Sequence, residues 1–266
     1  MAAIDVDDER LLEIALGAAH AAGALLLDRF NRPATGIERK SSATDMVSDA
    51  DRDAESLVRG LIGDARPDDG VLGEEAGSAE GASGLRWVVD PLDGTTNYLY
   101  RHPVWAVSVA CEDADGARVG VVHQPCVGET FTAIRGRGAQ LDQRPIAVSD
   151  VSDLASSLIG TGFSYIPEVR SDQARALVEI LPKVRDVRRA GSAAIDLAWV
   201  ACGRLDGYYE LGTRQWDRAA GVLLVAEAGG VTAPLAPVGG SGDGVLAANP
   251  ALYAHLSHLV GAALLH

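Results

Sequence analysis

Asp90 and Asp93 close an apolar run, Trp87-Val88-Val89, and stand three residues apart in the stretch Asp90-Pro91-Leu92-Asp93-Gly94-Thr95-Thr96-Asn97. Two carboxylates held that close repel, so one of them must take up a proton or share a cation. A hard divalent metal with oxygen ligands suits the pair. Pro91 is expected to stiffen the turn between them. Gly94 and Thr95 add close backbone approach and a hydroxyl at what reads as a helix start, where unpaired amides receive phosphate oxygens. A solvated Asx turn with a helix cap at Asp93 or Thr95 would use the same residues, so this segment alone leaves both readings open.

Other acids meet the same demand. Gly73-Glu74-Glu75 follows the short apolar run Val71-Leu72, and Asp217 opens an apolar helix in Trp216-Asp217-Arg218-Ala219-Ala220-Gly221. Taken singly, Glu74 or Glu75 reads as a surface turn acid and Asp217 as an ordinary first-turn acid. Their coincidence with Asp90 and Asp93 favours a shared cation. A further cluster from Lys40 to Asp51 carries Asp45, Asp49 and Asp51 just before a helix, and a cap at Ser48 or Asp49 accounts for one of these acids, not three. The acids at 90 and 93 lack the one-residue separation of an aspartyl-phosphate enzyme, and no lysine-ended glycine-rich phosphate loop is present. The six histidines, His20, His102, His123, His255, His258 and His266, show no ligand spacing and receive no role. Trp105, Trp199 and Tyr208 read as core residues, and Trp216 as packing beneath Asp217.

These residues need elements to hold them. Helical spacing predicts helices over about 7–30 and 49–62, the second stopped by a turn at 67–70. Short β-rich runs follow at 85–89, 104–111, 118–123 and 130–134, a sheet of neighbouring strands. Beyond residue 150, helices near 168–181, 192–202, 216–228 and 250–264 alternate with strands around Leu158, Val187, Tyr208, Val231 and Val245. No repeat or long linker divides the chain. We expect one functional unit over 1–266, with the metal motifs in an α+β subdomain, 1–150, and substrate-selecting residues in an α/β subdomain, 151–266.

Composition sets the outer bounds. The 23 basic and 37 acidic side chains leave a net charge of −14, which argues against nucleic acid as the primary partner. At 47% hydrophobic and 23% charged the chain is that of a folded protein. No stretch approaches the roughly 18 to 20 consecutive apolar residues of a membrane span, and the acidic start differs from a secretory signal, so a cytoplasmic protein without a membrane partner is expected. The three cysteines, Cys111, Cys126 and Cys202, read as reduced, packed thiols.

Gly73-Glu74-Glu75, the segment from Asp90 to Asn97 and the segment from Trp216 to Gly221, in that order, resemble the inositol monophosphatase family of magnesium-dependent, lithium-sensitive phosphatases. The resemblance covers nearly the whole chain. It extends to the segment from Asp45 to Asp51, with Ser48 where the family usually has threonine, to Gly191-Ser192-Ala193-Ala194, and to the segment from Gly207 to Gly212.

The resemblance implies an α+β fold, a layered α-β-α-β-α sandwich of the inositol monophosphatase and fructose-1,6-bisphosphatase type, a homodimer, and hydrolysis of a phosphate monoester by metal-activated water. It implies two to three Mg2+ ions. Glu74, Asp90 and the Leu92 carbonyl would bind the first, Asp90, Asp93 and Asp217 the second, and Glu74 a weaker third. Glu74 and Thr95, paired with Asp51, become the catalytic candidates that orient water. Asp93, Gly94, Thr95, Gly191, Ser192, Ala193, Glu210 and Asp217 become the substrate-binding candidates. Glu210 corresponds to a glutamate that accepts hydrogen bonds from ring hydroxyls, which favours a polyol phosphate, although a solvated strand-end acid is the plain structural alternative. Inositol 1-phosphate is the expected substrate, with histidinol phosphate or a sugar phosphate as the near alternatives. A regulatory partner of the transcription machinery is the alternative of another class.

Overall fold

A computed structural model describes residues 7–32, 35–39, 46–238 and 241–264. Helix α1 (Asp8–Phe30) begins where the Asp7 carboxylate accepts the amides of Glu9 and Arg10. A two-residue pair, β1 (Glu38–Arg39) with β2 (Met46–Val47), leads into α2 (Asp49–Ala65). Eight strands then build one sheet: β3 (Gly70–Gly73), β4 (Gly77–Ala79), β5 (Arg86–Asp93), β6 (Ala106–Asp113), β7 (Gly116–Gln124), β8 (Glu129–Ile134), β9 (Gly138–Leu141) and β10 (Arg144–Pro145). The short helix α3 (Thr95–Leu99) interrupts them. Their order is β10-β9-β8-β7-β6-β5-β3-β4, antiparallel except between β3 and β5.

The second half of the chain supplies β11 (Leu158–Thr161), α4 (Pro167–Ile180), β12 (Asp186–Arg188), α5 (Ala193–Ala201), β13 (Gly207–Leu211), α6 (Gln215–Glu227), β14 (Val231–Leu235), β15 (Gly244–Ala248) and α7 (Pro250–Leu264). Its five strands run in the order β12-β11-β13-β15-β14, with β11 parallel to both neighbours.

The elements stack as the resemblance implies. One outer layer is the α1–α2 pair, laid on β5, β6 and β7; α5 and α6 fill the middle between the two sheets; α4 and α7 cover the far face of the smaller sheet. Three apolar cores follow these boundaries, and the middle one, with Val88, Val122, Phe131, Ile195, Leu197, Tyr208 and Leu224, joins both sheets through α5 and α6. By length and composition α1 could cross a membrane, with an 18-residue window of mean hydropathy 1.5, which the count of consecutive apolar residues did not anticipate. In the fold its Leu11, Ala15, Ala19, Ala22 and Leu26 are buried, and small side chains let it lie close against α2 and the sheet.

Several boundaries differ from the sequence expectation. Strand β5 does not end before the acids: it runs through Asp93, with the register against β6 shifting between Asp90 and Asp93. Pro91 lacks an amide proton for the ladder, so it sits in this irregularity and not in a turn. Helix α2 continues to Ala65, β3 already begins at Gly70, and β4, β9 and β10 are additional. Cys111 is buried and Cys126 and Cys202 are half-buried, all three as free thiols.

Candidate active site

Parallel pairing explains why distant acids meet. Strands β3 and β5 run side by side with Gly73 opposite Val89, and the next residue on each is Glu74 and Asp90. Beyond that point β5 keeps only β6 as a partner, so Asp90 to Asp93 project past the end of β3. The carboxyl ends of parallel strands are where α/β sheets open a crevice. The turn after β3 is pinned from α2: the buried Glu55 carboxylate accepts the amides of Glu75 (2.6 Å) and Ala76 (3.1 Å) and pairs with Arg59 at 2.7 Å.

A cleft of about 330 Å³ opens over this edge, and Glu74, Asp90, Leu92, Asp93, Gly94 and Thr95 line it. Gly191, Ser192, Ala193, Glu210 and Asp217 line the same cleft. Gly94 has φ 99°, open to glycine, and an added Cβ would press on the carbonyls of Val104 and Gly191. Its bare backbone therefore lets the start of α3 approach the start of α5. Asp93 completes that junction, its Oδ2 accepting the Ser192 hydroxyl at 2.7 Å and the Ala194 amide at 2.6 Å. Asp217, in the first turn of α6, accepts the Arg214 amide at 2.6 Å.

The structure thus brings every sequence-derived site residue to the cleft except Asp51, which lies directly behind it. Asp51 is 1% exposed; its Oδ2 accepts both the backbone amide (2.9 Å) and the hydroxyl (2.6 Å) of Ser48, and its Oδ1 faces the Thr95 hydroxyl. Ser48 caps α2, Asp49 pairs with Arg52, and Asp51 joins the cap to Thr95. Lys40 to Asp45 of that cluster, with His266, lie outside the described residues.

The carboxylates carry their crowding as shifted acidity. Asp90 is 1% exposed, and burial, then the charges of Glu74, Asp93 and Asp217, push its pKa well above the ordinary range. Burial raises Asp93 to about 6 despite the hydrogen bonds from Ser192 and Ala194, with Glu210 adding to the rise. Asp217 is also pushed well up, by burial and then by Asp93 and Glu74. Among the described residues no group of three or more His, Cys, Asp and Glu side chains is already set to hold a metal ion. Asp93 and Asp217 have each turned one oxygen into hydrogen bonds with the chain itself. The donor set nonetheless fits a hard cation, because the neighbouring carboxylates raise the proton affinity of Asp90 and Asp217 and a divalent ion relieves the same repulsion.

Some lining residues had no sequence signal. Ser164, Tyr165 and Ile166, between β11 and α4, and the exposed Arg189 and Arg214 line the cleft. Two others had one. Tyr208 is buried as expected of a core residue, but its hydroxyl donates to Glu210 Oε2 at 2.6 Å; it shares Glu210's face of β13 because the two are two residues apart. Glu210 is therefore not a solvated strand-end acid. Asp196, the one acid in the apolar helix α5, is 1% exposed with neither carboxylate oxygen hydrogen-bonded. Burial and the charges of Glu210 and Asp93 push its pKa well up. Trp105 is core and Trp199 packs on the middle core as expected, while Trp216 packs on that core and also lines the cleft.

Five alternating layers with a carboxylate-lined cleft at the end of a parallel strand pair place this chain among layered α/β phosphatases. The chain belongs to the inositol monophosphatase family, whose model matches residues 7–263. An inositol-1-monophosphatase of Synechocystis sp. is 40% identical over 266 residues, covering 96% of this chain and 90% of its own length. A Nus factor SuhB of Xylella fastidiosa is 44% identical over 220 residues, 82% of this chain and 80% of that one. The crystal structure of the extragenic suppressor protein suhB from Bartonella henselae superposes with a TM-score of 0.87 at 36% identity, over 94% of this chain and 98% of that one.

Proposed function

We propose that this chain is a Mg2+-dependent phosphomonoesterase that converts inositol 1-phosphate to inositol and phosphate, acting as a homodimer. The observation that carries the reading is one cleft lined both by Glu74, Asp90, Asp93 and Asp217, the carboxylates that would hold metal, and by Glu210, whose carboxylate is held by Tyr208. Glu74, Asp90 and the Leu92 carbonyl would hold one ion, Asp90, Asp93 and Asp217 a second, and Glu74 a weaker third. Bound Mg2+ supplies the charge that neutralises a phosphate dianion and lowers the pKa of the attacking water.

The chain's own groups do the rest. Thr95 Oγ1 accepts a hydrogen bond from the water, and as it takes up the water's proton it passes its own to Asp51 Oδ1, to which it already donates. Glu74 orients the same water from the end of β3. The Gly94–Thr95 backbone and the start of α5 at Ser192 and Ala193 direct amide groups at the phosphate. Glu210 accepts hydrogen bonds from the hydroxyls of the leaving polyol. The first 150 residues thus supply most of the metal and water chemistry, and residues 151–266 supply substrate selection, within one functional unit.

The names of relatives favour a second reading. Proteins called Nus factor SuhB, from Xylella fastidiosa at 44% and Escherichia coli at 41% identity, point to a regulatory partner of the transcription machinery. Phosphate release separates the readings. Inositol 1-phosphate, histidinol phosphate, fructose 1,6-bisphosphate and adenosine 3′,5′-bisphosphate are each incubated with Mg2+ and with chelator. Mg2+-dependent release, fastest from inositol 1-phosphate, is expected. Preference for histidinol phosphate or a sugar phosphate would replace the substrate, and no release from any would leave the regulatory reading.

A further inference from the structure

Strand β11 lies parallel to β13 with Gly160 opposite Tyr208, and Gly162, two residues further along the chain, follows on the same face just beyond the strand's end. Both glycines have ordinary backbone angles, so neither is required by a left-handed conformation. What they provide is space. A Cβ on Gly160 would press on the Tyr208 ring and on Leu205, with Cδ2 of the ring 3.1 Å away. A Cβ on Gly162 would overlap both oxygens of the Glu210 carboxylate. The Tyr208 ring and the Glu210 carboxylate thus occupy the room that two missing side chains leave, and the phenol hydroxyl ties them together at Glu210 Oε2, 2.6 Å away.

We propose that Tyr208 and Gly162 are positioning residues that set substrate selectivity: the phenol engages Oε2 of Glu210, the bare backbone of Gly162 lets the carboxylate lie flat against β11, and Oε1 is left as the acceptor for a substrate hydroxyl. The proposal rests on the reading of Glu210 as the polyol-selecting group. A free glutamate on a strand end would sweep a broad arc and lose side-chain entropy on each binding event; a carboxylate wedged between a phenol and a glycine has already lost it. Geometry at β11, far from the metal acids in sequence, would then decide how well a polyol phosphate is told from a phosphate ester without hydroxyls.

The test is the ratio of kcat/KM for inositol 1-phosphate to that for p-nitrophenyl phosphate, with Mg2+ in the full chain, for Tyr208→Phe, Gly162→Ala, Glu210→Gln, Glu210→Ala and Tyr208→Phe/Glu210→Ala. Tyr208→Phe keeps the ring and removes only the hydroxyl, so it guards against a Gly162→Ala chain that fails to fold. The ratio is expected to fall about tenfold in Tyr208→Phe and at least as far in Gly162→Ala, through KM for inositol 1-phosphate. The double variant is expected to match Glu210→Ala alone, because no acceptor then remains for the hydroxyl to hold. A general structural defect would lower both substrates together. A wild-type ratio in Tyr208→Phe alongside a lowered ratio in Glu210→Gln, or additive losses in the double variant, overturns the proposal while leaving Glu210 as the selector. A wild-type ratio in Glu210→Gln removes the polyol reading and the proposal with it.

Discussion

The hydroxyl oxygen of Thr95 stands 3.0 Å from Asp51 Oδ1, joining two residues 44 apart in sequence, and lies 3.1 Å from the Leu92 carbonyl. One proton serves two acceptors, and the oxygen that carries it lines the cleft. Because Asp51 is itself locked to Ser48 by two hydrogen bonds, the orientation of Thr95 is fixed from behind.

Replacing Thr95 by Ala therefore separates orientation of the water from metal binding. We expect kcat to fall by roughly 10² to 10⁴ while the Mg2+ concentration for half-maximal activity stays the same. Unchanged kcat would assign water activation to Glu74 and the metal alone.

The mutual repulsion of Glu74, Asp90, Asp93 and Asp217 makes a linkage prediction. Mg2+ binds the folded cleft and not the unfolded chain, so it should raise Tm, and superimposable melting curves in Mg2+ and chelator would refute convergence of these acids on a cation. Asp90→Asn should abolish turnover yet leave the metal-free protein as stable as wild type or more so, since it removes a buried charge that its neighbours oppose. A large loss of metal-free stability would make Asp90 structural.

Asp196 carries a pH signature. Its folded pKa is raised above the unfolded value of 3.8, so the native state binds more protons than the unfolded chain above that pH, and the carboxyl costs stability as pH rises. In chelator at pH 7, Asp196→Asn should be more stable than wild type, with the gap closing toward pH 4. Denaturant melts of both proteins across this range provide the check; a variant less stable at pH 7 would mean that the carboxylate is held by a favourable partner.

His123 gives the opposite slope. Burial, and then the charge of His20 at a ring-centroid distance of 4.6 Å, lowers its pKa from 6.5 to about 4. The unfolded chain binds more protons between these values, so stability falls as pH drops from 6.5 to about 4 and levels off below. The contribution is about 2 kcal/mol after allowing for solvent screening of the half-buried ring. An imidazole NMR titration should place the His123 midpoint near 4; a midpoint near 6.5 would show that α1 does not bury this ring.

For Glu210, replacement by Gln keeps the size and one acceptor oxygen but loses the charge. Inositol 1-phosphate should lose about 1 to 3 kcal/mol in kcat/KM, as for one charge-assisted hydrogen bond, and more than p-nitrophenyl phosphate loses. Equal losses for the two substrates would mark Glu210 as a structural acid.

Features set by near neighbours in the chain were legible before the fold. The apolar face of α1, the alternation of strand and helix after residue 150, and the acids at 74, 90, 93 and 217 all depend on residue type and short spacing. Their match to a known family carried the layered architecture. Where a strand ended was less legible, since β5 continues past Asp90 only because β6 still pairs with it. Pairings between remote segments were not legible at all without that family: Glu74 meets Asp90 through the parallel register of β3 and β5, and Asp93 meets the start of α5 across 101 residues. Nor does residue type distinguish the roles of chemically identical groups. Asp51, Asp93 and Asp196 are the same side chain; one is held by a helix cap, one by a helix start, and one is buried without a hydrogen bond. Burial and hydrogen-bond partners exist only once distant elements pack, and those are the quantities that set a carboxylate's charge and hence its chemistry.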